Sequence, residues 1–228
     1  MKSWCIGKPS ARYVAKMEDV LDVYQRPYDP LRPVVCLDEC SKELRSTPRG
    51  SISAASGGCE LEDYEYERHG TRNLFLWVEP LAGKRRVAAT ARRTSIDFAE
   101  VLRQLVDEDY ANCERIVLVT DNLNTHTPAA LYERFEPEDA RRIANRIEWH
   151  YTPEHGSWLN IAEIELSVLS RQCLSRRVAD ADTLGKRVAI WERERNSVQV
   201  TVDWQFTTAD ARIKLKRLYP EIRQDSVT

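Results

Sequence analysis

The chain is 228 residues long, 42% hydrophobic and 31% charged, and its 34 basic and 36 acidic side chains leave a formal net charge of −2. That composition belongs to a folded chain with one well-cored domain and excludes a disordered one. No apolar stretch approaches the roughly 20 residues of a membrane span, and Met1-Lys2-Ser3-Trp4 lacks the apolar core of a signal peptide, so a cytoplasmic protein without membrane contact is expected.

From the N-terminus, residues 11–24 place Val14, Met17, Val20 and Leu21 along one side, the pattern of an amphipathic helix with no chemistry on it. Pro27, Pro30 and Pro33 stop that helix and lead into the apolar run Val34-Val35-Cys36-Leu37, which ends on Asp38 and Glu39. Residues 46–58 are rich in Ser and Gly and read as a mobile low-complexity loop. Strands are predicted at 64–66, 73–79 and 85–91, with turns at His69-Gly70 and 80–83. Thr94 is the predicted cap of a helix over 95–106. A second buried-strand run, Ile116-Val117-Leu118-Val119-Thr120, ends on Asp121 and Asn122. Helices follow at 129–135 and 137–145, a strand at 147–151, and a helix-like segment that starts near Asn160 and carries Glu163. A last helix over 209–218 is expected to pack on the sheet, with Trp204 and Phe206 in the core.

A meander followed by alternating α and β units predicts an α/β protein with a mixed sheet, a three-strand antiparallel meander plus parallel strands, and helices on both faces. That is the element order of a ribonuclease H-like domain. The six cysteines, at 5, 36, 40, 59, 113 and 173, form no Cys-x-x-Cys pair and have no histidine at zinc-finger spacing, so reduced thiols without structural zinc are expected. Arginines outnumber lysines and cluster at 85–86, 92–93, 141–142 and 176–177. They suit phosphate forks, or simply solvated helix faces.

Acids at the ends of two central strands meet at one edge of a sheet, where α/β proteins place their chemistry. Asp38, Asp121 and a helix-borne Glu163 would make an all-oxygen set suited to a divalent metal and phosphodiester chemistry. Alternatives stay open at each position. Either aspartate could be a turn former, and Glu39 could serve in place of Asp38. His126 could touch a scissile phosphate or hydrogen-bond within a turn. Asn160 could cap the helix with Glu163 at the third position of a capping box, which alone would explain their spacing. On a helical wheel the inward arc of Ile161, Ala162, Val168, Leu169 and Cys173 contains Glu165, so periodicity by itself selects Glu165 over Glu163.

The motifs Asp121-Asn122-x-x-x-His126, Leu159-Asn160-x-x-Glu163 and His155-Gly156-Ser157-Trp158-Leu159-Asn160 together resemble the DDE transposases of the mariner superfamily, in their bacterial insertion-sequence branch. The resemblance runs from about residue 4 to the C-terminal end. It implies that Asp38, Asp121 and Glu163 are the catalytic and metal-holding acids, and it favours Glu163 over Glu165. It also implies two Mg²⁺ or Mn²⁺ ions and metal-dependent DNA strand cleavage and strand transfer. Asn122, His126, Asn160 and Glu39 are the implied supporting or DNA-contacting residues. Implied partners are DNA, both transposon ends and target, and a second copy in a homodimer, with a nucleoid location when DNA is bound. The chain departs from the pattern at Ile161, where proline is common, and only 37 residues precede Asp38. Residues 1–30 are therefore read as a helical lead-in and 31–228 as the catalytic domain, without an N-terminal helix-turn-helix and with a separate DNA-reading module as a further partner. Two other classes remain. One is a non-catalytic transposase remnant acting as a dimerisation or inhibitory module. The other is an unrelated metal-dependent phosphohydrolase with Asp38 as nucleophile, which Cys40 disfavours because that chemistry wants a second acid there.

Overall fold

The computed structural model describes residues 10–48, 51–52, 61–62 and 64–221. Helix α1 (Ala11–Tyr24) starts at Ser10, whose hydroxyl accepts from the Tyr13 N–H, and buries Met17, Val20, Leu21, Val23 and Tyr24. Strand β1 (Val34–Ser46) continues well past its apolar half. A two-residue ribbon, β2 (Ser51–Ile52) with β3 (Leu61–Glu62), occupies part of the expected loop. Of the loop expected at 46–58, residues 49–50 and 53–58 lie outside the described residues. Strands β4 (Glu67–Glu79) and β5 (Lys84–Thr90) complete the meander.

Two expectations fail here. Residues 64–66 are not a strand, and His69-Gly70 is not a turn but part of β4. The pairing of β1 with β4 shifts between Glu43 and Arg45, so residues 69 and 70 stand opposite the single residue Leu44. That is a bulge, and Gly70 supplies it with a φ of 86° that a side chain would resist. A glycine read as turn punctuation thus bends a strand instead.

Helix α2 (Ser95–Gln104) begins with a capping box between Thr94 and Asp97, and a π-helical turn (Leu105–Asp109) follows it directly. Strand β6 (Ile116–Thr120), helices α3 (Ala129–Arg134) and α4 (Pro137–Asn145), and strand β7 (Ile147–Tyr151) come next. Proline in the first turn of α4 gives up an N–H that has no partner there anyway. A 3₁₀ turn (Ser157–Leu159) leads into α5 (Ile161–Gln172), followed by α6 (Ala181–Ser197) and α7 (Thr208–Lys214). The final helix is shorter than predicted and packs on α1 rather than on the sheet, through Thr208 to Asp22 and Arg212 to Glu18.

The main sheet runs β5-β4-β1-β6-β7. Pairing is antiparallel across β5-β4-β1 and parallel across β1-β6-β7. Helices cover both faces, as the element order predicts. One core joins Met17, Leu21, Cys36, Val117, Val119, Leu169 and Trp191 under α1, α5 and α6. The other joins Val35, Leu37, Ile116, Leu118, Phe98 and Leu131 under α2 and α3. Successive strand residues alternate between the two cores, and this period of two decides where the acids go. Cys36, Cys40, Cys113 and Cys173 are free thiols, and Cys5 and Cys59 lie outside the described residues. Among the described residues no helix is long and apolar enough to cross a membrane.

Candidate active site

The parallel register of β1 and β6 pairs Cys36 with Val119 and Leu37 with Thr120. Asp38 is the next residue of β1, on a strand about 4.8 Å from β6, and continues the alternation that faces α1 and α5, while Asp121 is the first residue past β6. Strand pairing alone therefore brings these two predicted acids together. Asp38 is 7% exposed. Its Oδ1 accepts from the Glu39 N–H at 2.8 Å and its Oδ2 from Asn160 Nδ2 at 3.1 Å.

Asn160 ties the third predicted acid to this pair. Its Oδ1 caps α5 by accepting the Ala162 N–H at 3.1 Å, while its Nδ2 donates to the Leu37 carbonyl as well as to Asp38. The capping box expected with Glu163 does not form, because the cap takes the Ala162 N–H. Glu163 stays exposed in the first turn of α5. Tyr24, at the end of α1, adds a second tie by donating to the Leu159 carbonyl at 2.6 Å and accepting from the Ile161 N–H.

Periodicity was right that Glu165 points inward, at 2% exposure, and the interior explains why it is taken. Glu165 lies 3.1 Å from the fully buried Arg85 and also pairs with Arg195 of α6. A carboxylate held between two guanidiniums is neutralised in place. Burial pushes the Asp38 carboxyl up to about 7, and the negative charges of Asp121, Glu39 and Glu163 push in the same direction. Glu163 thus acts electrostatically on Asp38 from the first turn of α5.

Glu39 points to the opposite face from Asp38. Its carboxylate lies 3.2 Å from Nε2 of the buried His126 and 3.8 Å from Arg93, and through the His126 ring it is linked to Asp121. His126 stacks on Phe98 at 4.4 Å, and its Nδ1 holds Asp121 Oδ1. Burial pulls the imidazole down, but the hydrogen bond to Asp121 and the Glu39 carboxylate outweigh it and push it up to about 9. The protonated ring donates from Nδ1 to Asp121 and stands as a cation beside Glu39. Asp121 also accepts from the Leu123 N–H at 3.3 Å, so it forms the turn as well as facing the site.

Asn122 turns outward and accepts from Lys16 Nζ at 2.7 Å. Lys16 and Tyr24 belong to α1, where the sequence shows no chemistry. A lysine on an amphipathic helix is ordinary, and only the topology lays that helix across the site. Several arginines expected as phosphate forks are otherwise occupied: Arg85 with Glu165, Arg86 with Asp109 and Glu108, and Arg142 with Asp107.

The donors of Asp38, Asp121 and Glu163 are all carboxylate oxygens, the chemistry that Mg²⁺ and Mn²⁺ prefer. Burial is the main cause of the raised Asp38 carboxyl and the neighbouring acids add to it, a penalty that a divalent cation would relieve. Among the described residues no three such side chains converge to ligand distance as they stand.

Residues 33–185, which include all three acids, match the family described as DDE superfamily endonuclease. No curated protein is significantly similar in sequence. Among solved structures, the chain resembles the Mos1 mariner paired end complex with Mn (TM-score 0.52, 15% identity, 88% of this chain and 62% of that one). It resembles the Mos1 strand transfer complex similarly (TM-score 0.54, 16% identity, 88% and 62%). The mariner Mos1 paired end complex with Mg gives a TM-score of 0.53 at 14% identity over 97% of this chain and 68% of that one. At these identities the likeness is one of fold, the ribonuclease H-like sheet with its flanking helices. The chain spans about 62% of the length of the first two Mos1 chains. With the family matched across most of the sheet and α5, this chain belongs to the DDE superfamily of endonucleases.

Proposed function

We propose that the chain is the catalytic part of a mariner-type transposase of the bacterial insertion-sequence branch, which cleaves DNA strands and joins them to a target. The observation that carries this reading is the meeting of Asp38 and Asp121 on adjacent parallel strands, with Asn160 fixing the helix that bears Glu163. In this reading 31–228 is the catalytic domain and 1–30 its helical lead-in. Asp38, Asp121 and Glu163 hold two Mg²⁺ or Mn²⁺ ions, which when bound supply the charge that activates the attacking oxygen and stabilises the leaving one. Asn160 orients the Asp38 carboxylate, and the His126 imidazolium orients that of Asp121. The Mos1 structures are named as a paired end complex and a strand transfer complex. By extension the partners here are transposon and target DNA, a second copy of the chain, and a separate DNA-reading module, in the cytoplasm at the nucleoid.

The pairing of Asp121 with His126 favours a second reading, a remnant that dimerises with or inhibits an active relative. Nicking of supercoiled plasmid in Mn²⁺ distinguishes the two. The catalytic reading expects nicking by the parent and none by Asp121→Asn, with the variant still folded by circular dichroism. A parent that does not nick, or a variant that still does, sinks it. An anomalous difference map from Mn²⁺-soaked crystals checks the ligands directly, with a peak expected between Asp38 and Asp121.

A further inference from the structure

We propose that Lys16, Tyr13 and Trp158 build a nucleotide subsite beside the carboxylates, with Lys16 taking a backbone phosphate and the Trp158 indole stacking on the base of an unpaired nucleotide. The inference rests on the DNA-processing reading and goes beyond it in naming the form of DNA held and the side chains that hold it. Helix α1 bridges the two loops that carry the site. On one side Lys16 Nζ is 2.7 Å from Asn122 Oδ1, one residue past Asp121, and stands over the Tyr151 ring at 5.7 Å. One turn earlier on the same helix, the Tyr13 hydroxyl accepts from Trp158 Nε1 at 3.3 Å. Trp158 in turn lies two residues before Asn160, which holds Asp38. Helix α1 therefore carries the ammonium and, through Tyr13, holds the indole of the turn that leads to Asn160.

Trp158 is 39% exposed, yet it is not loose. Trp204 stacks near it at 6.4 Å and 26°, and Phe206 meets it edge-on at 6.0 Å. The loop beneath is tight. A Cβ on Gly156 would lie 2.5 Å from Pro153 Cγ, and His155 takes a φ of 60°. A rigid, half-exposed indole with aromatic backing stacks a base at little entropic cost, and it does so regardless of base identity. Charge fits the same occupant. The three acids of the site repel a polyanion, and Lys16 with Arg12 beside it opposes them, with Glu154 acting on Lys16 in the other direction. Bases inside an intact duplex present only their edges, so the matching ligand is an unpaired nucleotide at or near the cut.

The test uses the full chain in EDTA with a fluorescein-labelled oligothymidylate of about twelve nucleotides and a duplex of the same length. Trp158→Ala is expected to weaken the single strand about tenfold and to leave the duplex nearly unchanged, with Trp158→Phe restoring most of the loss. Lys16→Met is expected to lower the slope of log K against log salt by about 0.7 on the single strand, one phosphate's worth. Oligothymidylate should also quench part of the emission of the six tryptophans, and that part should vanish in Trp158→Phe, which reads the contact even if the alanine variant is unstable. Unchanged single-strand affinity in Trp158→Ala, equal loss on single strand and duplex, or quenching retained in Trp158→Phe overturns the stacking role. An unchanged salt slope in Lys16→Met overturns the phosphate role. Parent protein that nicks plasmid in Mn²⁺ while failing these tests removes the subsite alone. Parent that neither nicks nor binds DNA removes the functional reading with it.

Discussion

Replacing Asp38 with asparagine is expected to make the metal-free protein more stable while abolishing its chemistry. The folded Asp38 carboxyl titrates at about 7 against an ordinary 3.8. The folded state therefore holds a proton that the unfolded chain has already released, and folding loses stability as pH rises through that window, levelling off above about pH 7. At ~1.4 kcal/mol per pH unit, the interval amounts to ~4 kcal/mol. Asparagine removes the charge and still accepts the Glu39 N–H, but its amide faces the Asn160 amide and forfeits one hydrogen bond, ~1 kcal/mol. The net expectation is a variant more stable than the parent by ~3 kcal/mol at about pH 8, equivalent to some 6–12 °C in melting temperature for a chain of this size, and slightly less stable near pH 4. Thermal unfolding in EDTA across that pH range reads the difference directly. His126 titrates in both proteins and cancels in the comparison. Mn²⁺ should raise the melting temperature of the parent at about pH 8 and do little for the variant. A variant no more stable than the parent at pH 8, or a gap that fails to widen between pH 4 and 8, refutes the idea that unneutralised charge accumulates at this site.

The two glutamates of α5 should separate by assay. Glu163→Gln is expected to stop Mn²⁺-dependent nicking with stability within about 0.5 kcal/mol of the parent, as for an exposed site. Glu165→Gln should lower stability by ~3–5 kcal/mol in chemical denaturation, because it leaves Arg85 buried without its counter-charge. The His126 ring is expected to titrate near 9 by NMR and to fall toward its ordinary 6.5 in Glu39→Gln. Since the folded value is the higher one, its stabilisation is complete below about pH 6.5 and disappears as pH rises through 9. Asn160→Ala should cost ~1–2 kcal/mol of stability as a lost cap, and should also raise the Mn²⁺ concentration needed for half-maximal nicking.

The features legible in the sequence are those in which local pattern and tertiary role coincide. Ile116 to Val119 are apolar without a break because a central parallel strand is covered on both faces, so the acid at 121 is legible as its end. Proline at the start of α4 and the Thr94 cap of α2 mark real helix beginnings. Strand β4 was harder, because its first five residues are exposed and polar and Gly70 imitates a turn. The direction in which Glu39 faces was invisible as well. It follows from the alternation along β1, yet that alternation has no meaning until one knows that both faces are covered.

Glu163 and Glu165 show why a buried carboxylate and a functional one leave different traces. The helical wheel measures which side chain faces the interior, and it selected Glu165 correctly on that criterion. The interior, however, had to neutralise that carboxylate, and Arg85 and Arg195 do so. An acid proposed to hold a metal sits instead beside other acids, although Asp121 also pairs with the His126 ring. Asp38 satisfies that condition, with its raised titration and like-charged neighbours, and Glu163 meets it from the first turn of α5. Asn160 makes the arrangement possible, because a single amide caps the helix with its oxygen and holds the aspartate with its nitrogen. The capping role thus rests on Asn160 and the Ala162 N–H and does not need Glu163, so the cap alone does not account for an acid at that position.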